Sequence, residues 1–132
     1  GGPTTWYYKE KYGNDGAKKM LDKYKDFIIQ AAKHYGIDGR AIAGAIRWEF
    51  ELNTPSRDRD YWEFIDTQTD RNILPLNGVG WGKMHFDTAK NILNNEGSYP
   101  NKKDLAYILA LAPSAIDMIA KYMKFSADAY KQ

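Results

Sequence analysis

The sequence predicts a mainly α-helical globule with at most a small β-hairpin, that is, an all-α or α+β fold. Apolar residues recur at the three- and four-residue spacing of amphipathic helices in several separate stretches. Residues that favour helix ends, among them Asp38, Asn101 and Gly36, bound those stretches. Strand-like character is confined to a glycine-rich segment at 78–86. At 132 residues the chain is long enough for one domain with its own core.

The composition excludes several classes of function. With no Cys, the chain has neither disulfides nor thiolate zinc sites nor a Cys nucleophile, and two His are too few for a typical metal site. We therefore expect no metal and no cofactor. A net charge of +2 is too small to indicate a nucleic-acid-binding protein, although it would not repel an anionic polymer. No apolar run approaches a membrane span and no signal peptide is present, so any secretion signal is expected outside this sequence.

The N-terminal residues 1–14 are expected to form a loose arm beside a single domain at 15–132. The leading Gly1-Gly2-Pro3 resembles what remains of a removed fusion segment and is left out of fold reasoning. Trp6, Tyr7 and Tyr8 are three adjacent rings, which we expect to dock the arm onto the domain. The alternative is that these rings line a sugar cleft.

The first helix is predicted from an N-cap at Asp15 to Tyr35, where Gly36 ends it in the left-handed conformation. Its apolar stripe consists of Met20, Tyr24, Phe27, Ile28 and Ala31. His34, near its end, is interpreted as a surface residue rather than a ligand.

A second helix is predicted at 38–53, and one of its acidic residues lies in an unusual place. On a helical wheel turning about 100° per residue, Glu49 falls within about 20° of Ile42 and on the side expected to be buried, whereas Glu51 points away. A buried carboxyl group is more easily kept protonated, and a protonated carboxyl group can act as a general acid. The alternative is that Glu49 pairs with a Lys or Arg and only holds helices together.

The helical pattern is interrupted between residues 54 and 86. A short helix is expected around 61–65, and its acidic neighbours are interpreted mainly as a solvated face, from which one residue could serve as a second carboxylate opposite Glu49. At 78–86, three alternating glycines indicate a tight strand-like turn where the backbone closely approaches a ligand or another part of the chain. The alternative is an ordinary hairpin between helices. This segment is not a phosphate loop, because it lacks the Gly-Lys-Ser/Thr ending.

Three further helices are predicted in the last third of the chain. Asp87 is expected to cap the first, at 88–95, and Asn101 with Asp104 forms a capping box for the second, which runs to about Leu111. Ser114 and Asp117 form a second box for the last helix. One side of that helix carries Ile116, Ile119, Ala120, Met123 and Ala127.

Three sequence segments, taken together, point to a family. Residues 46–53 read IRWEFELN after the lead-in AKHYGID, residues 82–86 read GKMHF before Thr88-Ala89, and residues 116–124 read IDMIAKYMK. In this order they resemble the soluble lytic transglycosylases and goose-type lysozymes. Those proteins carry a helix ending in apolar-Arg-x-Glu-Ser-x-aromatic-Asn, then Gly-Leu-Met-Gln-Ile with a Thr-Ala, then a helix with Tyr-Leu-Lys. The resemblance covers about residues 30–125.

The resemblance implies a lysozyme-like fold that cleaves the MurNAc–GlcNAc bond of peptidoglycan, with Glu49 as the catalytic acid and base. It implies that a set of residues contacts the glycan strand: Asn53, Gly82, Met84, His85 and Tyr122. In a transglycosylase one Glu protonates the leaving oxygen and then takes the proton of the sugar's own 6-hydroxyl, giving a 1,6-anhydro product. A hydrolase would need a second carboxylate, for which Asp66 and Asp70 are the candidates.

Such a protein would act outside the cytoplasm, in the periplasm or cell wall, as part of a secreted lysin or an antibacterial effector. An inhibitor or immunity protein would then be an additional partner.

The chain departs from the family pattern at three points. Phe50 replaces the usual Ser, and His85 replaces the Gln that usually binds sugar. The third motif, an Ala-Tyr-Asn-Ala-Gly-like segment, is not found, so either the chain ends before it or another polypeptide completes the cleft. The alternative hypothesis is a helical module that binds glycan or protein without chemistry.

Overall fold

The computed structural model describes residues 4–53 and 84–130. Within them the helices are α1 (Thr4–Tyr12), α2 (Gly16–Lys23), α3 (Lys25–Tyr35), α4 (Gly39–Asn53), α5 (Phe86–Asn95), α6 (Lys102–Ala110) and α7 (Ser114–Tyr130), and a 3₁₀ turn at Gly13–Asp15 joins the first two. These described ranges contain no strand, which confirms the mainly α prediction. The predicted helix at 61–65 and most of the glycine-rich segment lie outside them.

The N-terminal segment is helical, not a loose arm. Helix α1 packs on α2, and Tyr8 is buried in the core, where burial raises the pKa of its hydroxyl. Tyr8 also contacts Tyr7 edge-on, with ring centroids 5.3 Å apart, and stacks on Tyr12 at 5.9 Å. Docking through a ring is therefore confirmed for Tyr8. The helix was missed because TTWYYKEKY has no apolar stripe, and a helix this short depends on tertiary packing.

The predicted first helix is in fact two helices. The chain breaks at Tyr24, which has φ −105° and ψ 17°, and Asp15 makes no side-chain cap bond because the chain is already helical there. The break shifts the phase of α3, so Phe27 is 38% exposed although it belonged to the predicted stripe. Gly36 ends α3 at φ 66°, as predicted.

Helix α7 connects the two hydrophobic clusters of the described chain. Its Ile116, Ile119 and Ala120 pack into a cluster shared with α1 to α4, while Met118 packs into a second cluster with α5 and α6. The largest fully buried side chains of both clusters are Phe50, Met20, Ile42, Ile46, Ile116 and Met118. Helix α7 thus contributes side chains to both clusters.

Gly16 lies where α2 passes closest to α1 and α4. A Cβ atom at this position would lie 2.5 Å from the backbone oxygen of Tyr8 and 2.6 Å from Cζ of Phe50. The backbone oxygen cannot move aside as a flexible side chain would. The absence of a side chain at Gly16 thus allows the close approach of α2 and α1.

Gly16→Ala is expected to lower the free energy of unfolding by about 1–3 kcal/mol, because the added methyl overpacks the core. Gly44→Ala is the control: Gly44 is exposed within α4 and an added Cβ meets nothing within 4 Å, so this change should stabilise by about 0.5–1 kcal/mol. Urea unfolding of both variants measures the difference. Equal stability of the two variants would contradict the close approach.

Tyr35 ties α3 to α7. Its hydroxyl donates a 2.8 Å hydrogen bond to Oδ1 of Asp117, and burial, followed by this bond and the charges of Asp117 and Glu96, raises the pKa of Tyr35. Lys121 donates to Glu96 at 2.8 Å and lies 3.6 Å from Oδ2 of Asp117. The network therefore joins α3, α7 and the end of α5.

Tyr35→Phe is expected to cost about 1–2 kcal/mol of stability at neutral pH, because Asp117 loses a hydrogen bond. Since the folded state holds the Tyr35 proton more tightly than the unfolded state, the hydroxyl's contribution is complete below about pH 10 and falls as pH rises further. The stability gap between parent and variant should therefore narrow above pH 10 in denaturant titrations. A gap that widens there would contradict this assignment.

The predicted helix ends are confirmed at α4 and α6 and are wrong at α5 and α7. The backbone N–H of Arg40 donates to Asp38 Oδ1 at 2.9 Å, and that of Asp104 donates to Asn101 Oδ1 at 2.8 Å. Helix α5 begins at Phe86, so Asp87 lies in its first turn rather than at the cap. Ser114 forms no capping box, because its hydroxyl instead lies 2.8 Å from the carbonyl oxygens of both Ile108 and Leu111.

No single helix in the described part of the chain has the length and apolar character to cross a membrane. Helix α6 and residues 114–129 of α7 meet both criteria only when taken together, and they are bent by 93°.

Candidate active site

Glu49 lies on the flank of the buried face of α4. Ile42, Ile46 and Phe50 follow one another at four-residue spacing and are all buried, so the centre of the face runs through them. Glu49 is displaced from that line by about one residue's rotation and is half-buried. Glu49 therefore lies at the edge of the side predicted to be buried, because Phe50 carries the buried line away from it. Glu51 is exposed, as predicted, and pairs with Arg47 at 2.9 Å.

Glu49 lines a cavity of about 320 Å³ between three parts of the chain. This volume is at the small end of the range for ligand sites, which is about 300–1,000 Å³. The cavity is open on one side. Helix α4, the residues that begin α5, and helix α7 supply its walls: Ala45, Trp48, Glu49, Met84, His85, Thr88, Ile119, Tyr122 and Met123.

Four of the residues predicted from the sequence share this cavity. Glu49 comes from the first quoted segment, Met84 and His85 from the second, and Tyr122 from the third. Asn53 is the last residue of α4, and its side chain lies outside what the structure describes. Gly82, Asp66 and Asp70 also lie outside the described residues. The structure therefore brings at least one member of each segment to the same cavity.

His85 reaches the cavity through the backbone geometry of the α5 N-terminus. It occupies the N-cap position with φ −65° and ψ 142°, and its carbonyl oxygen accepts from the N–H of Ala89 at 3.1 Å. Its side chain makes no capping bond and is exposed. Because the extended cap directs the chain away from the helix, the imidazole lies at the cavity rather than over the first turn.

Five residues of the cavity were not in the predicted site: Ala45, Trp48, Thr88, Ile119 and Met123. Trp48 is 62% exposed, and the wheel places it outside the apolar stripe, so its position beside Glu49 is the one signal that could have indicated it. Thr88 lies in the first turn of α5 and belongs to the Thr88-Ala89 pair quoted above. Its proximity to the site could have been inferred from that pair.

The cavity combines a carboxyl group with an imidazole, a phenol, a hydroxyl and an indole ring. Among the described lining residues Glu49 is the one acidic side chain. The described residues also contain no group of three or more His, Asp or Glu positioned for a metal ion. The side chains present can donate a proton, form hydrogen bonds and offer flat apolar faces.

The walls formed by α5 and α7 are held together next to the site. The side chain of Lys121, which precedes Tyr122, is 17% exposed, and its ammonium group bonds to Glu96 just beyond the end of α5. The Glu96 side chain is 45% exposed, so this pair contributes at most about 1 kcal/mol to stability. The pair therefore joins α7 to the end of α5 next to Tyr122.

The arrangement of this site is described from the structure of this chain, without a related protein for comparison. Its residues come from three stretches that are far apart in sequence and that meet through the packing of α4, α5 and α7. Comparison with protein-family models, with curated proteins and with solved structures finds no match to the chain.

Proposed function

We propose that the protein cleaves the β-1,4 bond between MurNAc and GlcNAc in peptidoglycan, with Glu49 as general acid and base. The observation that carries the proposal is the half-buried Glu49 in one cavity with Met84, His85 and Tyr122. A carboxyl group at the edge of a core is partly shielded from water yet accessible to a bound sugar. A general acid must come within hydrogen-bond reach of the oxygen that it protonates, and this position allows that.

In the proposed reaction Glu49 gives its proton to the glycosidic oxygen while the bond from that oxygen to C1 of MurNAc breaks. The oxygen of the sugar's 6-hydroxyl then bonds to C1, and the Glu49 carboxylate takes the hydroxyl proton. Glu49 ends protonated again, no water is consumed, and the product carries a 1,6-anhydro ring. One carboxyl group is enough for these reaction steps, whereas a hydrolase would need a second carboxylate. The proposal therefore favours a lytic transglycosylase over a hydrolase.

The other lining residues have roles that suit a sugar strand. Trp48 and Tyr122 present exposed ring surfaces, on which the apolar face of a pyranose can stack. His85 can donate one hydrogen bond in place of the two that an amide nitrogen offers. Peptidoglycan lies outside the cytoplasm, so this substrate places the protein in the periplasm or cell wall, as a lysin or antibacterial effector.

A glycan-binding module without chemistry is the second candidate, and the exposure of the aromatic residues favours it. Trp48 is 62% exposed and Tyr122 is 44% exposed, so both rings could hold a sugar without Glu49. In that case the strand would be retained and released unchanged. An inhibitor protein or a second chain that completes the cleft would compete for the same surface.

The test is digestion of purified sacculi followed by mass spectrometry of the soluble fraction. The proposal expects muropeptides that end in a 1,6-anhydro sugar. Fragments heavier by one water would establish hydrolysis by the same site and point to a second carboxylate. Retention of the protein on sacculi with no soluble fragment would support the binding module instead.

A further inference from the structure

The first two helices and the residues around them carry more positive charge than the rest of the chain. Residues 1–25 contain six Lys and three acidic residues, which gives this segment a net charge of +3. The whole chain has a net charge of +2, so the remaining residues together are slightly negative. The segment contains no Arg. Its positive charge is therefore carried by Lys alone.

Two of these lysines lie over a pair of exposed tyrosine rings on α1. Lys11 Nζ is 5.4 Å from the ring centroids of both Tyr7 and Tyr12, and it donates a 3.1 Å hydrogen bond to the Tyr7 hydroxyl. Lys19 Nζ, from α2, is 5.7 Å from the Tyr12 centroid. The rings of Tyr7 and Tyr12 are 44% and 36% exposed. Because a ring attracts an ammonium group within about 6 Å, these rings hold both charges at the surface without neutralising them.

A third lysine continues this surface along α2 towards α3. Lys23 lies four residues after Lys19 and therefore on the same face of α2. Its Nζ atom is 5.7 Å from the centroid of Tyr24, whose ring stacks on that of Phe27 with centroids 6.3 Å apart. Phe27 is 38% exposed. We call the exposed members of this set the Lys–Tyr surface: Tyr7, Lys11, Tyr12, Lys19, Lys23 and Phe27.

The ammonium groups of the Lys–Tyr surface differ from other cations of the chain in having no carboxylate partner. Four cations elsewhere on the described chain pair with an Asp or Glu, namely Arg40, Arg47, Lys121 and Lys124. Among the described residues, no carboxylate pairs with Lys11, Lys19 or Lys23. Their charges are therefore available to an anionic partner.

The combination of free ammonium groups and exposed rings selects among anionic partners. Lysines are attracted by anionic lipid headgroups, and tyrosine rings favour the boundary between headgroups and acyl chains. A nucleic acid fits less well, because Arg rather than Lys makes the bidentate contacts to phosphates and bases, and residues 1–25 contain none. A free phosphate ion would use the charges but not the rings. A lipid bilayer is the partner that uses both.

We propose that the Lys–Tyr surface binds the headgroup region of an anionic lipid bilayer. The ammonium groups of Lys11, Lys19 and Lys23 contact lipid phosphates, and the rings of Tyr7 and Tyr12 lie at the level of the headgroups. The protein rests on the membrane through this surface and does not span it. This binding goes beyond the proposed function and does not depend on the role of Glu49. Because it is electrostatic and exposed to solvent, it weakens as salt is added.

The test is co-sedimentation of the protein with vesicles of phosphatidylcholine, prepared with and without phosphatidylglycerol. At low salt we expect binding to the anionic vesicles to be about a hundredfold tighter than binding to the neutral ones. Replacing Lys11, Lys19 and Lys23 together with Gln should remove most of that difference. Thermal unfolding of the variant checks that it is folded.

A second triple variant is the matched control, in which Lys33, Lys90 and Lys103 are replaced with Gln. These three lysines are exposed and lie outside the Lys–Tyr surface, so the net charge falls by the same amount in both variants. Because exposed charges farther than a Debye length from the lipid are screened, the control should bind anionic vesicles within about threefold of the parent.

Equal binding to both kinds of vesicle, or binding to neither, would overturn the proposal. An equal loss of binding in the two triple variants would overturn it too, because net charge alone would then account for the attraction. Polyphosphate and a DNA duplex are tested alongside the vesicles at the same salt concentration. If either binds the parent as tightly as the anionic vesicles do, the surface belongs to a soluble polyanion and the membrane assignment is wrong.

Discussion

Glu49→Gln is expected to reduce the release of soluble muropeptides from sacculi by about a thousandfold, within the range of about 10²–10⁴ that a general acid contributes. The amide has nearly the same shape as the carboxylic acid but cannot give up a proton to the glycosidic oxygen. Since Glu49 is half-buried at the edge of the core, the isosteric change should leave the fold intact. Initial rates of fragment release, with thermal unfolding as the check on folding, measure the effect.

Glu51→Gln is the matched control for that change. Glu51 lies two residues further along α4, is exposed, and pairs with Arg47 on the surface. A surface pair of this kind contributes about 0–1 kcal/mol, so activity and stability should both stay near those of the parent. Equal loss of activity in the two variants, or full activity in Glu49→Gln, would remove Glu49 from the chemistry.

Phe50→Ala is expected to cost about 3–5 kcal/mol of unfolding free energy, the largest effect on stability that we foresee. Phe50 is among the largest fully buried side chains, and it lies against Gly16 in the cluster that joins α1, α2 and α4. Truncation would leave a cavity that three helices would have to collapse to fill. Urea unfolding at neutral pH measures the cost.

Trp48→Ala tests whether the loss of unfolding free energy in Phe50→Ala comes from the burial of the ring. The alternative is that removing any aromatic ring of α4 has the same effect. Trp48 is the larger residue but is 62% exposed, so its truncation should change stability by about 0.5 kcal/mol or less. A Trp48→Ala variant as unstable as Phe50→Ala would contradict the described packing of α4.

Phe50 also stands at the position where the resemblance to the transglycosylases would place a Ser. The position after the catalytic Glu usually carries Ser in that family, whereas here it faces the core of the described chain. A Ser at this position would leave both a cavity and a buried hydroxyl without an obvious partner. At this position the chain has a ring that packs in the core.

Local signals in the sequence were sufficient for part of the fold. Asp38 caps α4 and Gly36 ends α3 as predicted, because a cap bond and a left-handed glycine depend on a few neighbouring residues. Helix α1 could not be predicted in the same way, since only its packing on α2 makes it stable. The break at Tyr24 was missed because a one-residue irregularity barely disturbs an apolar stripe.

The residues of the candidate site could be predicted only where they belong to the short sequence segments that resemble the family's motifs. Glu49, Met84, His85 and Tyr122 were named from three separate segments, and the structure brings them to one cavity. The half-buried position of Glu49 could not be read from the wheel, because it depends on Phe50 occupying the centre of the face. Trp48 was missed since an exposed ring beside a cavity leaves no periodic signal.

The most direct test of the role of Glu49 is a crystal structure of the Glu49→Gln protein with a bound N-acetylglucosamine oligomer. We expect a glycosidic oxygen of the oligomer about 2.6–3.2 Å from the side-chain amide of residue 49, with sugar rings against Trp48 and Tyr122. An oligomer bound elsewhere, or bound in this cavity with residue 49 out of reach of every glycosidic oxygen, would contradict the assignment of Glu49 as the acid.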